Sequence, residues 1–208
     1  KPDGGDVMAR LDDLKETPSQ TAGPYVHIGL TPNKLGNSGI YPVDLGESPI
    51  RAGAKGQQVT ITGTVRDGSG MILRDALIES WQADAAGIYP GNDPRGTADP
   101  NVTGWARIIA DFDSGEWALT TIKPGRVPYP DGRLMAPHIA IWVVARGINL
   151  GLQTRIYFED EDNSDCPVLA RIEPRDRVQT LIAKATGPGQ YRFDIVLQGA
   201  GETVFFDI

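Results

Sequence analysis

Two histidines and a set of tyrosines are the residues that could do chemistry in this 208-residue chain. His138 interrupts the apolar run "APHIAIWVV" (136–144), and on a strand residues i and i+2 project from one face, so His138 shares its face with Ala140 and Trp142. A histidine at 140 would complete a chelating pair; the residue there is alanine. Tyr89 stands where a strand gives way to a loop in "QADAAGIYPGNDPRG", and Tyr129 lies nine residues before His138. Phenolates are hard anionic donors suited to Fe(III), and imidazole complements them. The only other histidine, His27, lies in a distant segment. Taken one at a time, His138 reads as a hydrogen-bonded strand histidine and the tyrosines as surface or interface aromatics. Only their combination points to iron. No phosphate-binding glycine loop, Cys-x-x-Cys pair or Gly-x-Ser-x-Gly elbow is present.

The elements that must position these residues read as mainly β. "QVTITGTVRDGSGMILRDALIESWQAD" gives two strand candidates about the turn "DGSG", followed by "GEWALTTI", "PHIAIWVVARG", "TRIYF", "QYRFDIVLQG" and "ETVFFDI". In "QYRFDIVL", Tyr191, Phe193, Ile195 and Leu197 share one face, with Arg192 and Asp194 opposite. A mixed-charge stretch in residues 1–16 predicts a short helix, and Thr17 to Leu30 an arm laid over a surface. "EPRDRVQTLIAKATG" (173–187) predicts the one substantial late helix, with Pro174 near its first turn and Gly187 to stop it. The expected architecture is an antiparallel β-sandwich core with long loops, an N-terminal helical arm and one late helix. It forms a single domain over 1–208, with helix and arm in 1–30 and the core in 57–208. Residues 31–55 and "YPGNDPRGTADPNVTG" (89–104) are long loops of the kind that carry function. A net charge of −7 argues against nucleic-acid binding, no apolar run approaches the ~18 residues that span a membrane, and a single cysteine, Cys166, fits a reducing cytoplasm.

The stretches "ETPSQTAGPYVHIGL", "ESWQADAAGIYP", "DFDSGEWALTTIKPG", "MAPHIAIWVVARGINLGLQTRIYF", "CPVL", "LIAKA" and "YRFDIVLQGAGETVFFD" resemble, in order and spacing, the intradiol ring-cleaving dioxygenases. The resemblance covers nearly the whole chain from Glu16. It implies a β-sandwich and, in the heteromeric members, α and β subunits of related fold with the active site in β and α residues at its rim. Catalytic chains of the family hold nonheme Fe(III) with two Tyr and two His, the histidines as His-x-His on one strand. Tyr89 falls at the first Tyr position and His138 at the first His position. Ala140 falls at the second His position, Val127 near the second Tyr position with Tyr129 close by, and Met135 where those chains carry an arginine. The resemblance therefore implies relic metal-site positions at Tyr89, His138 and Ala140 and no metal or catalytic residue in this chain. Fe(III) is expected in a partner β subunit of an obligate hetero-oligomer.

By the same resemblance, Thr21, Gly23, Pro24 and Tyr25 match the α segment that closes the partner's substrate pocket. Arg146 matches an arginine toward the entrance of the active site, where it steers or contacts a carboxylate or forms a salt bridge across the subunit interface. Arg133 and Arg155 are weaker candidates for that role. The implied reaction cleaves 3,4-dihydroxybenzoate (protocatechuate) between its hydroxyl-bearing carbons, with O2, to 3-carboxy-cis,cis-muconate at the interface site. Two rivals are a self-sufficient homo-oligomer using Tyr89, Tyr129, His138 and His27, and a non-enzymatic β-sandwich binding module.

Overall fold

A computed structural model describes residues 20–207; the helix expected in residues 1–16 lies outside them. The described residues form ten strands: β1 (Gln58–Gly63), β2 (Val65–Arg66), β3 (Leu77–Trp81), β4 (Trp105–Ile109), β5 (Trp117–Ile122), β6 (His138–Val144), β7 (Leu152–Phe158), β8 (Ile182–Gly187), β9 (Gln190–Arg192) and β10 (Ile195–Val196). Eight are hydrogen-bonded in the order β4-β3-β6-β7-β8-β9-β1-β5, and β2 and β10 make a small pair. The turn from Asp111 to Glu116, closed by the bond from the Asp111 N–H to the Glu116 carbonyl, brings the edge strands β4 and β5 together, so the sheet nearly closes on itself.

The main core lies inside this curved sheet. Alternation on β6 sends Ile139, Ile141 and Val143 inward, where they pack with Ile156 and Phe158 of β7, Val59 and Ile61 of β1, and Trp117 and Leu119 of β5. Each such buried side chain contributes about 1.5–3 kcal/mol of transfer free energy. The opposite face of β6 and β7 carries His138, Ala140, Arg155 and Tyr157, and a second apolar cluster of Val127, Met135, Cys166, Leu169, Leu181 and Val204 gathers on that side. Gly63 permits the closest backbone approach in the sheet: a Cβ there would lie 1.8 Å from the Phe193 carbonyl oxygen.

The mainly β fold holds, with corrections. The large sheet is mixed rather than purely antiparallel, because β1/β9 and β7/β8 run parallel, as does the separate β2/β10 pair. The late helix is absent. Arg175–Leu181 makes only a short 3-10 helix, and residues 182–187 are strand β8. Ile182 and Ala183 pair with Tyr157 and Phe158, while Lys184 and Ala185 pair with Arg192 and Tyr191, so β8 joins the two halves of the sheet. That ladder and the burial of Ile182 and Ala183 outweigh the helical propensity of "LIAKA". In "ETVFFDI" there is one isolated bridge, Phe206 to Gln153, instead of a strand, and the unanticipated β4 pairs with β3. Within the arm, Val26–Leu30 forms a short helix, α1.

Candidate functional site

The described part of the arm is tied to one end of β6. The Thr21 hydroxyl donates to the Ala145 carbonyl at 3.0 Å and accepts from the Gly147 N–H at 3.1 Å. Gly23 then takes φ +76° with open space around it, a conformation that disfavours any other residue, and turns the chain into Pro24 and Tyr25. Tyr25 is 74% exposed and α1 follows it. The Arg146 guanidinium, half exposed, reaches Asp75 through Nε at 3.2 Å. Its ion pair is therefore with its own chain. Pro24, Arg74, Asp75, Phe112 and Arg146 line one depression of about 520 Å³, so the arm and Arg146 converge as the spacing alone could not show. Beneath it His27 is buried against the Phe112 ring at 5.1 Å, and burial lowers its pKa against the opposing pull of Asp75. Asp75 was not singled out by the sequence; its Oδ1 is buried with no hydrogen-bond partner among the described residues.

The relic positions lie toward the other end of β6, about 20 Å away at ~3.3 Å per strand residue. The His138 Nδ1–H donates to the Ala136 carbonyl at 2.8 Å, and the ring tilts against Tyr157, its cross-strand partner, at 5.5 Å. Burial first, then the Arg155 charge, push the His138 pKa down to about 4, so the imidazole is neutral near pH 7. Ala140 is flanked by Trp81 on β3 and Arg155 on β7. Tyr89 stacks on Trp81 at 5.9 Å and 3° between planes, and burial raises its pKa while Arg155 opposes that rise. Arg155 Nη1 lies 3.3 Å from the Met135 sulfur, and its guanidinium covers the Phe206 ring at 5.6 Å. Arg155, on β7, thus brings a guanidinium to Met135, the position at which the resemblance implies an arginine.

These donors do not fit Fe(III). His138 alone offers an imidazole, Ala140 offers nothing, and Val127 is buried without a donor atom. The Tyr129 hydroxyl accepts from Arg171 Nη1 at 2.8 Å. A guanidinium beside His138 and Tyr89 repels a cation. Among the described residues no group of three or more His, Cys, Asp or Glu side chains could hold a metal ion. His27, the residue the homo-oligomeric rival would recruit, packs with Phe112 near the far end of β6 and cannot join His138. Arg133 is held by Asp131 on an exposed turn, at 3.0 and 2.7 Å, and joins neither group.

Residues 44–199 match the domain family described as Dioxygenase. The sequence is 47% identical over 202 residues to the protocatechuate 3,4-dioxygenase alpha chain of Pseudomonas putida, covering 95% of this chain and 98% of that one. The chain belongs to the intradiol dioxygenase family. It is also 30% identical to the protocatechuate 3,4-dioxygenase beta chain of Burkholderia cepacia, over 77% of this chain and 73% of that one. The solved chlorocatechol 1,2-dioxygenase of Pseudomonas putida superposes with a TM-score of 0.54 at 19% identity, covering 82% of this chain and 76% of that one, a likeness of fold alone. Intradiol dioxygenases use non-heme iron, and the alpha and beta names of the two relatives describe a hetero-oligomer. Among the described residues no helix is long and apolar enough to cross a membrane.

Proposed function

We propose that this chain is the non-catalytic α subunit of an intradiol dioxygenase that cleaves protocatechuate to 3-carboxy-cis,cis-muconate with O2 in the cytoplasm. It pairs obligately with a β subunit that holds the Fe(III) and completes that subunit's substrate pocket. The observation that carries this reading is Ala140 with Arg155 beside it: a full-length likeness to an alpha chain combined with a donor set that excludes ferric iron. Held by the partner, ferric iron would supply the chemistry that makes the catechol ring reactive toward O2.

This chain's residues bind, orient and exclude water. Thr21 fixes the arm on the β6–β7 turn, Gly23 and Pro24 set its path, and the exposed Tyr25 offers an aromatic wall and a hydroxyl to the partner's pocket. Arg146 faces the substrate carboxylate, for which a guanidinium gives charge-assisted hydrogen bonds. Asp75 holds Arg146 through Nε and so sets its direction. The test is iron content and protocatechuate-dependent O2 uptake of the chain expressed alone and together with its β chain. Iron and turnover only in the mixture support the reading; iron and turnover in the lone chain overturn it.

A further inference from the structure

Arg155, the cross-strand partner of Ala140, also lines a cavity of about 570 Å³ whose walls include Tyr129, Arg171, Ile172, Arg177 and Phe206. That volume suits a small organic molecule. Its charge is the reverse of a metal site. Arg155 rests on the Phe206 ring and the Met135 sulfur, with no carboxylate at ion-pair distance among the described residues. Arg171 donates to the Tyr129 hydroxyl. Among the described residues, only Arg177 of the three arginines has an acidic partner, Glu202, at 3.6 Å. Glu173 and Asp207 also line the cavity, but both are exposed and make no ion pair with these arginines. A partly buried guanidinium without a counter-ion stabilises a bound anion, and its planar fork suits a carboxylate. Phe206, Ile172, Val168 and Val204 supply an apolar wall for a ring.

We propose that this cavity is a second ligand site that binds a small aromatic carboxylate, its carboxylate on Arg155 and Arg171 and its ring against Phe206 and Ile172. The proposal concerns this chain's own pocket and does not require that the arm complete the partner's.

The test is a titration of 4-fluorobenzoate followed by 19F NMR, on the full chain assembled with its β chain. Wild type is compared with Arg155→Gln and Arg171→Gln, so the difference isolates this cavity from any site in the partner. Inorganic phosphate serves as competitor, and thermal unfolding confirms that the variants are folded; Arg171 is exposed, so its variant is not expected to disturb packing. The expected result is one saturable site per copy of this chain, weakened at least tenfold in both variants and not displaced by equimolar phosphate. Absence of that site, affinity retained in both variants, or phosphate binding as tightly as the benzoate would overturn the proposal.

Discussion

Replacing Thr21 by valine keeps the side-chain shape and deletes both bonds that pin the arm to the β6–β7 turn. Thr21 is exposed, so each bond is worth the low end of the usual range, about 0.5–1 kcal/mol, or about 1–2 kcal/mol together. If docking of the arm forms one wall of the substrate pocket, that loss appears in substrate binding as a roughly 5- to 30-fold rise in KM for protocatechuate. Iron content of the assembled enzyme is expected to stay unchanged, because the iron proposed for the β chain is held by that chain's own residues and not by the arm. The assay is steady-state O2 uptake across substrate concentration, with hydrogen exchange at the Gly147 amide reporting whether the arm has come loose. Faster exchange at Gly147 with KM within twofold of wild type would refute the role given to the arm.

Three further outcomes are expected. His138 is buried with its folded pKa near 4 against about 6.5 when unfolded, so the unfolded state binds more protons between those values and stability falls as pH drops from 6.5 to 4, by up to about 3 kcal/mol. Denaturant unfolding of wild type and His138→Gln across that window should show the variant lacking this part of the slope. Lys123, its side chain 8% exposed, lies between Asp160 at 2.8 Å and Glu161 at 3.0 Å; burial opposes its charge, yet bonds to Asp160, Tyr191 and Glu161 outweigh it and raise the pKa. Because both carboxylates reach water, Lys123→Met should cost about 1–3 kcal/mol and lower Tm by roughly 2–10 °C in calorimetry. Ala140→His should leave the isolated chain without iron above background in metal analysis, because Arg155, Val127 and the Tyr129–Arg171 bond persist.

Much of the scaffold was legible because its strands carry their own signal. β5, β6 and β7 are apolar or alternating runs bounded by turn residues, and the faces of β6 follow from period two alone. That His138 and Ala140 lie on one face of β6 was legible because the alanine stands two residues after the histidine on one strand. What was hidden depends on register and long-range pairing. That Arg155 stands opposite Ala140, and that Asp75 comes within reach of Arg146, required knowing how distant segments are brought together. Residues 182–187 misled in the same way: "LIAKA" favours a helix locally, and only the positions of β7 and β9 on either side make it a strand. β4 escaped notice because it is five residues long between loops rich in glycine, asparagine and aspartate.

The central claim is that the family's iron site has been lost from this chain and is carried by its partner. Anomalous diffraction at the iron edge from crystals of the chain assembled with its β subunit tests it most directly. One iron peak per αβ pair is expected, in β, with no peak within bonding distance of His138. A second peak of comparable height beside His138 would contradict it.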